Sequence, residues 1–335
     1  MIIKNYNTSN EVFIIAEIGN NHEGNYNTAL EMISAAADTG ANAVKFQTIV
    51  PELFINKENI IRFKKLKSFQ LTYNQFEKLS NFASKKNILF CSTPFDIKSA
   101  KFLNNIQSFF KISSGDNEFF PLIESVCKFN KPVILSTGLI NLNKIKSIVK
   151  FIKKKIDHKS KLALLHCVST YPTPIIEANL RSINVLKENF KELTIGYSDH
   201  TLGIDAAILS VACGAKIIEK HFTIDKNFSD FRDHQISADP KDMTKMIKKI
   251  RKIEKILGKN NKDIQSSEKN GLIEYTRSIA SNKFLKKGVK VKKSDLIWIR
   301  PGKGFKPGYE KNVLNKRLKK NIEIGHIFQK SDFKK

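Results

Sequence analysis

Cysteine is scarce in this chain of 335 residues, and the four cysteines, Cys91, Cys127, Cys167 and Cys213, lie far apart without a C-x-x-C pair. Such spacing excludes a disulfide framework and a cysteine-based zinc site, and it favours a reduced, intracellular protein. No run reaches the roughly 18 apolar residues of a membrane span, and the first residues lack the pattern of a signal peptide. We therefore expect a soluble, cytoplasmic protein.

Acidic residues are also few, since 32 Asp and Glu stand against 58 Lys and Arg, which gives a formal charge of +26. This balance excludes an acidic solvating protein and leaves nucleic acid, a membrane surface or an anionic small substrate as partners. Only seven of the basic residues are arginine, and the basic residues are scattered rather than clustered. The charge alone therefore does not choose among these partners.

Short apolar runs of strand length alternate with segments of helical spacing through the first 260 residues. This alternation predicts a parallel sheet covered by helices. Eight parallel strands close a barrel, so we predict a (β/α)8 TIM barrel over residues 1–260. The predicted strands are residues 12–17, 43–47, 88–93, 109–113, 132–136, 162–166, 193–198 and 216–221.

The composition changes after the barrel. Residues 261–275 are polar and indicate a linker, whereas residues 276–335 contain short β-like runs and two Pro-Gly turns. This last segment holds 18 Lys and Arg against 4 Asp and Glu, so it carries +14 of the total charge of +26. We predict that it forms a small, mostly β second domain.

Polar residues end the predicted strands one after another. In a barrel of this kind the active site lies at the C-terminal ends of the strands, so these residues are candidates for function. Several of them are two residues apart and therefore point to the same side of a strand. The pairs are Lys45 with Gln47, Lys111 with Ser113, Ser198 with His200, and Glu219 with His221.

The residue types at these positions indicate a chemistry. Lys45 and Lys111 lie in apolar strands and need an anionic partner, such as a bound phosphate or carboxylate, because an unpaired buried charge is costly. His200 and His221 end neighbouring strands, where they could share a divalent metal that keeps open positions for substrate and water. Glu17 can move a proton. This combination suits addition to a carbonyl by a phosphorylated substrate.

Seven motifs follow one another along the barrel. They are AEIGNNHEG (16–24), AVKFQT (43–48), CSTPFD (91–96), FKISSGD (110–116), LHCVSTYPTP (165–174), GYSDHTLG (196–203) and EKHFT (219–223). In this order they resemble the motifs of the bacterial sialic acid synthase family, which includes N-acetylneuraminate, legionaminate and pseudaminate synthases. The segment RSIASNKFLKKGVKVKKSDLIWIRPGKG (277–304) resembles the C-terminal SAF, or antifreeze-like, domain of that family. The resemblance covers nearly the whole chain.

The resemblance implies that phosphoenolpyruvate condenses with N-acetylmannosamine or a related 2-acetamido sugar, giving a nonulosonic acid of the N-acetylneuraminate type and phosphate. The alternative acceptor is a 2,4-diacetamido-trideoxy hexose, which would lead to legionaminic or pseudaminic acid. By the same resemblance, His200 and His221 bind a divalent metal, Mn²⁺ with Mg²⁺ or Co²⁺ as alternatives, that polarises the aldehyde. The implied catalytic residues are Glu17, which transfers a proton, and Lys45 and Lys111.

The remaining substrate contacts are also implied by the resemblance. Arg300 matches an arginine that reaches the N-acetyl group of the sugar from the neighbouring subunit, which implies a domain-swapped homodimer. The phosphoenolpyruvate carboxylate region would be held by Lys45, Thr93 and Lys111, and its phosphate by Ser114, Ser136 and Ser198. The sugar would face Gln47, Asp116, Tyr171 and Asp233.

Two departures from the family pattern concern the acceptor sugar. Ser169, a further substrate-binding candidate, stands where the N-acetylneuraminate-forming members have Asn, which shortens a hydrogen-bonding side chain. Arg232 and His234 stand where a Gly-Pro-Asp pattern is commoner. Both changes lie near the expected sugar site and leave the identity of the acceptor open.

Two other functions compete with the synthase. A Schiff-base aldolase would use Lys45 or Lys111 as its nucleophile and would need no metal, whereas the paired histidines favour the metal-dependent reaction. Nucleic-acid binding through the basic tail predicts affinity that falls steeply with salt, but the tail lacks an aromatic stacking platform. We therefore expect neither nucleic acid nor a membrane among the partners.

Overall fold

All eight predicted strands are present in the structure, a computed structural model that describes residues 1–158 and 161–334. Each strand overlaps its predicted range. The strands are β1 (Phe13–Gly19), β2 (Ala43–Thr48), β3 (Leu89–Pro94), β4 (Phe110–Ile112), β5 (Val133–Ser136), β6 (Leu162–Cys167), β7 (Thr194–Asp199) and β8 (Ile217–His221).

The strands form one parallel sheet in the hydrogen-bonded order β3-β2-β1-β8-β7-β6-β5-β4. The two outer strands of this order, β3 and β4, meet through side chains. The backbone N–H of Ser92 donates to Gln107 Oε1 at 2.7 Å, and the Cys91 thiol lies 3.7 Å from the Phe109 carbonyl. The sheet thus closes on itself, which confirms the predicted (β/α)8 TIM barrel.

Helices follow the strands and cover the outside of the barrel. The connection between β2 and β3 departs from the alternation of one strand and one helix. It holds three helices, whereas the sequence pattern predicts one. The helices are α1 (Tyr26–Asp38), α2 (Pro51–Phe54), α3 (Ile60–Phe69), α4 (Tyr73–Lys85), α5 (Ile97–Leu103), α6 (Phe120–Cys127), α7 (Leu142–Lys153), α8 (Ser182–Asn189), α9 (Asp205–Ala212), α10 (Asp233–Ile236) and α11 (Pro240–Leu257).

Several helices begin at a side-chain cap that the sequence supplies. Asn25 accepts from the backbone of Asn27 and Thr28, and Asp96 accepts from the backbone N–H of Ser99. A cap of this kind contributes on the order of 1 kcal/mol. These caps fix where α1 begins after β1 and where α5 begins after β3.

The alternation of side chains along each strand divides the core into two parts. Inward residues such as Phe13, Ile15 and Ile217 fill the lower part of the barrel, whereas outward residues such as Ile14 and Ile218 pack against the helices. Towards the C-terminal ends of the strands the inward positions become polar. The apolar floor therefore supports a polar site above it.

The chain divides into two compact units at Gly258, so that the second unit begins at Lys259. The barrel predicted from the sequence ends at residue 260, and the predicted linker covers residues 261–275. That stretch contains a 3₁₀ turn, Ser266–Glu268, and the short helix α12 (Gly271–Glu274). None of the helices in the described part of the chain has both the length and the apolar character that a bilayer crossing requires.

The second unit has its own small core. Its strands β9 (Ser278–Ser281) and β10 (Leu296–Ile299) pair antiparallel, and the rest of the unit is joined by isolated bridges and turns. Ile279, Leu318 and Phe328 are among the residues buried at its centre. The unit is small and mostly β, as predicted.

Candidate active site

Four charged side chains of alternating sign lie at the C-terminal end of the barrel interior. They are Glu17 on β1, Lys45 on β2, Lys111 on β4 and Glu219 on β8, and each is at most 5% exposed. Lys45 Nζ lies 2.8 Å from Glu17 Oε2 and 3.8 Å from Glu219 Oε2, while Lys111 Nζ lies 3.4 Å from Glu219 Oε1. Glu219 therefore joins the two lysines into one cluster.

Strand register explains why these residues meet. Glu17 and Lys45 are direct partners across β1 and β2, just before a bulge that separates Glu17 from Gly19. His221 is the partner of Glu17 on the other side, across β8 and β1. The bulge shifts the register by one residue, and pairing resumes between Gly19 and Phe46.

The surroundings of Glu17 and Glu219 shift the pKa values of their carboxyl groups in opposite directions. Burial raises the pKa of Glu17 from 4.5 to about 7, although the positive charge of Lys45 opposes this shift. For Glu219 burial acts in the same direction, but Lys111 and Lys45 outweigh it and lower the pKa to about 2. Glu219 is therefore ionised throughout the physiological range, whereas Glu17 can exchange a proton near neutral pH.

Hydroxyl groups surround the lysines. Lys45 Nζ donates to Thr93 Oγ1 at 3.1 Å, and Ser198 Oγ donates to Glu219 Oε1 at 2.9 Å. Ser136 Oγ is buried and has no hydrogen-bond partner among the described residues. A buried hydroxyl without a partner carries a cost that a bound ligand would remove.

A close approach at Gly138 brings two further serines beside the end of β5. A Cβ atom at this position would lie 2.4 Å from Ser169 Oγ and 2.7 Å from Ser114 Oγ. The backbone N–H of Gly138 donates to Ser114 Oγ at 3.1 Å. Glycine therefore permits Ser114 and Ser169 to lie next to each other at the edge of the site.

His200 and His221 lie with their ring centroids 5.4 Å apart. His200 Nδ1 contacts the Val168 carbonyl at 2.7 Å, which leaves Nε2 for another ligand. His221 Nδ1 is buried and has no hydrogen-bond partner in residues 1–158 and 161–334. Burial, followed by the charge of His200, holds the pKa of His221 well below its usual value, so the ring is neutral as a metal ligand must be.

The two imidazoles lie close enough to share a divalent metal. Burial lowers the pKa of His200, but the contacts with Cys167 and the Val168 carbonyl together outweigh burial and raise it, so a metal would displace the proton of this ring. Within the described part of the chain, no third His, Cys, Asp or Glu completes a cluster that could hold a metal ion. A metal bound here would take two ligands from this chain and keep further positions open. The predicted ligands His200 and His221 thus lie together, and their role stays a prediction.

A cavity of about 660 Å³ extends outward from His221. On one side Tyr171 packs at 4.2 Å from the His200 ring, and the Arg232 guanidinium lies 5.0 Å from the Tyr171 ring centroid. Arg232 Nε also lies 3.3 Å from Asp233 Oδ1. Stacking and ion pairing therefore hold Arg232 at the wall of the cavity.

The outer wall of the cavity is aromatic and cationic. Phe69 and Phe231 meet edge to face with centroids 5.2 Å apart, and Lys65 Nζ lies 4.8 Å from the Phe231 ring. Phe54 packs on Phe95 in the same manner at 4.9 Å. The lining residues are Asn20, Gln47, Ile49, Phe54, Arg62, Lys65, Leu66, Phe69, Phe95, Tyr171, His221, Asp230, Phe231, Arg232 and Asp233.

Most of the predicted site residues lie at this end of the barrel. Gln47 lines the cavity and accepts a hydrogen bond from Asn20 at 2.9 Å. Asp116 lies in the 3₁₀ turn after β4 and accepts from Ser113 Oγ at 2.6 Å, and burial raises its pKa. Arg300 belongs to the second unit, where it is exposed and directly follows β10.

Some residues that the structure places in the site have no role predicted from the sequence. Glu219 was one of the strand-end residues, and its spacing of two from His221 was the available signal. Arg62 and Lys65 had no signal, because α3 packs no side chain fully into the core and so shows no buried periodicity. His234 lies behind the cavity wall, where its ring contacts Thr223 Oγ1 at 2.7 Å and Glu23 Oε1 at 3.0 Å.

Comparison with known proteins places this site in context. The chain matches the model of the NeuB family over residues 32–262. An N,N'-diacetyllegionaminic acid synthase of Campylobacter jejuni is 36% identical, over 95% of this chain and 99% of the relative. A pseudaminic acid synthase of Campylobacter jejuni is 33% identical over the full length of both chains (100% and 100%).

A solved structure is similar as well. The crystal structure of an N-acetylneuraminic acid (sialic acid) synthetase from Leptospira borgpetersenii, in complex with citrate, is 41% identical with a TM-score of 0.77. The match covers 81% of this chain and 94% of the other. This protein is therefore similar to the chain in both sequence and fold.

Proposed function

The chain belongs to the NeuB family, and on that premise we propose that it condenses phosphoenolpyruvate with the aldehyde of an N-acetylated amino sugar, giving a nonulosonic acid and phosphate. The observation that carries the proposal is the inner cluster, in which two buried lysines share one carboxylate beside a pair of histidines. The relatives are named as synthases of such acids. The site supplies an anion pocket, a proton-transfer group and a place for the aldehyde.

Lys45, Thr93 and Lys111 would hold the carboxylate of phosphoenolpyruvate. Ser114, Ser136 and Ser198 would bind its phosphate, and the unpartnered hydroxyl of Ser136 supports this assignment. The charges of the two lysines and of Glu17 and Glu219 sum to zero while Glu17 is ionised. Binding an anion among them therefore favours the protonated form of Glu17, because that form leaves one net positive charge.

The protonated Glu17 is then placed to act as a general acid. The C3 carbon of phosphoenolpyruvate forms a bond to the aldehyde carbon, and the aldehyde oxygen takes a proton from Glu17. Water adds at C2 and returns a proton to the Glu17 carboxylate. The C2–O bond to phosphate then breaks, and the C2 hydroxyl group gives its proton to the departing phosphate, which leaves the ketone of the product and inorganic phosphate.

His200 and His221 would hold the divalent metal, with Mn²⁺ favoured over Mg²⁺ or Co²⁺. When bound, the metal would act as a Lewis acid toward the sugar aldehyde. The free Nε2 of His200 and the buried Nδ1 of His221 support this assignment. Val168 and its carbonyl fix the tautomer and rotation of the His200 ring.

The acceptor sugar would lie in the 660 Å³ cavity, facing Gln47, Tyr171 and Asp233. N-acetylmannosamine is the simplest acceptor for this reaction. Four phenylalanines, Phe54, Phe69, Phe95 and Phe231, form a phenylalanine wall on the outer side of the cavity. This wall favours a second candidate, a 2,4-diacetamido-trideoxy hexose, because the deoxy methyl group and the second acetamido methyl group of that sugar would contact apolar rings. The acceptors differ at the end of the sugar that this wall would contact.

Arg300 would complete the sugar site of the neighbouring subunit in a domain-swapped homodimer. The exposed position of Arg300 in the second unit supports this proposal, since its guanidinium is available to another chain. The SAF-like segment, residues 277–304, lies within the second compact unit, Lys259–Lys335.

Phosphate release from phosphoenolpyruvate tests the proposed function. The enzyme is incubated with Mn²⁺ and either N-acetylmannosamine or a diacetamido-trideoxy hexose, and each reaction is repeated with EDTA. Release that requires one of the sugars and is abolished by EDTA is the expected result. Release unaffected by EDTA would overturn the metal requirement. Absence of release, together with borohydride trapping of a covalent adduct on Lys45 or Lys111 in the presence of pyruvate and the sugar, would favour the Schiff-base aldolase instead.

A further inference from the structure

Asp199 and Lys220 form an ion pair on the outer side of the barrel sheet. Alternation along β7 and β8 turns them away from the interior, as it does Tyr197 and Ile218, which belong to the apolar layer against the helices. Lys220 Nζ lies 2.9 Å from Asp199 Oδ2, and both side chains are 0% exposed. The pair is thus enclosed in an otherwise apolar layer.

Stability alone does not account for such a pair. Taking two charges out of water carries a desolvation cost that apolar side chains of similar volume would avoid. Asp199 offsets part of this cost by accepting from the Tyr197 hydroxyl at 3.2 Å. A buried ion pair of this kind is better explained by a geometric task than by its contribution to folding.

The contacts of the pair point to that task. Asp199 and Lys220 are direct partners in the β7–β8 register, and each is followed by one of the two histidines, His200 and His221. Asp199 Oδ1 accepts from the backbone N–H of Thr201 at 2.9 Å and from its hydroxyl at 2.8 Å. Lys220 Nζ donates to the Thr201 carbonyl at 2.6 Å.

These hydrogen bonds therefore connect Thr201, the residue after His200, to Lys220, the residue before His221. We propose that the Asp199–Lys220 pair is a positioning element that holds the two imidazoles at the separation where they share one divalent cation. The inference rests on the proposed function, since the metal is part of it. Because both side chains face away from the site, their effect on metal binding passes through the histidines.

Two variants separate this role from a contribution to folding. Lys220→Met leaves the Asp199 carboxylate buried without its cation, so its melting temperature should fall. The double variant Asp199→Asn with Lys220→Met removes both charges but keeps an acceptor for Thr201, and its melting temperature should return toward that of the wild type. Melting is followed by circular dichroism without metal, and the affinity for Mn²⁺ by the electron paramagnetic resonance of the free ion.

We expect the double variant to bind Mn²⁺ about 10- to 100-fold more weakly than the wild type, the range typical for loss of residues that orient metal ligands. Lys131→Met is the matched control, because Lys131 donates to the carbonyls of Asn104 and Gln107 near the start of β5, far from the histidines along the strands. It should bind Mn²⁺ like the wild type.

Wild-type affinity for Mn²⁺ in the double variant would overturn the positioning role. A Lys131→Met variant weakened as much as the double variant would overturn it too, since the loss would then be general. Absence of Mn²⁺ binding by the wild type would instead refute the metal assignment of the proposed function, and the positioning role with it.

Discussion

Replacement of Glu17 by glutamine tests whether this buried carboxyl group carries a proton near neutral pH. Burial raises its pKa from 4.5 to about 7 against the opposing charge of Lys45. At about 1.4 kcal/mol per pKa unit, a shift of this size corresponds to about 3 kcal/mol. Because the folded protein holds the proton more tightly than the unfolded chain, this stabilisation is present below pH 4.5 and is lost as the pH rises through 7.

Glutamine resembles the protonated carboxyl group and cannot ionise. The free energy of unfolding of Glu17→Gln minus that of the wild type should therefore grow by about 3 kcal/mol from about pH 4.5 to about pH 8. Urea titrations followed by far-ultraviolet circular dichroism measure this difference, because the long helices belong to the barrel. The single tryptophan, Trp298, lies in the second unit, so its fluorescence would report on the wrong part of the chain.

A difference that stays constant over this range would show that Glu17 does not titrate there. A difference that shrinks with rising pH would show that Lys45 dominates and holds the carboxyl ionised. In the same variant kcat should fall by about 10²- to 10⁴-fold, the range for loss of a general acid. Glu31→Gln, on the exposed side of α1, is the control for removal of a carboxylate and should keep the wild-type kcat.

Three further substitutions test other parts of the site. His221→Ala should abolish both Mn²⁺ binding and phosphate release, and near-normal activity in buffer with added metal would remove His221 from the metal site. Arg300→Ala should raise the KM for the sugar far more than that for phosphoenolpyruvate, measured by steady-state kinetics, whereas the reverse pattern would remove Arg300 from the sugar site. Phe231→Ala should reduce kcat/KM for a diacetamido-trideoxy hexose by about 10-fold or more and that for N-acetylmannosamine less, as expected for loss of an apolar contact. Equal losses would show that the phenylalanine wall does not select the acceptor.

The fold could be predicted because the barrel strands are buried on both faces. Their short apolar runs stand out from the amphipathic helices between them, and the C-terminal glycines mark where helices such as α1 and α11 end. The helix α3 could not be predicted in the same way. Every residue of α3 is half-buried or exposed, so burial imposes no period of 3.6 on its sequence.

The candidate site could be predicted in outline by alternation. Because side chains alternate along a strand, the pattern shows which residues at the strand ends point into the barrel. It groups Glu17, Lys45, Lys111 and the two histidines without any knowledge of distances. The contacts within that group depend on side-chain length and on the stagger of the strands. Glu219 joins both lysines for this reason, and its central place could be found only in three dimensions.

The outward-facing residues of the strands also carry a signal in the sequence. Lys220 stands between two inward residues, Glu219 and His221, so alternation alone turns it toward the helices, where an unpaired ammonium group is costly. A partner carboxylate must therefore lie on an adjacent strand or on a covering helix. Asp199 meets that requirement, but so would other acidic residues if the strands were staggered differently. The register that pairs Asp199 with Lys220 also brings their chain neighbours, His200 and His221, to the ends of adjacent strands, and this is how an ion pair on the outer face of the sheet would position two rings on its inner face.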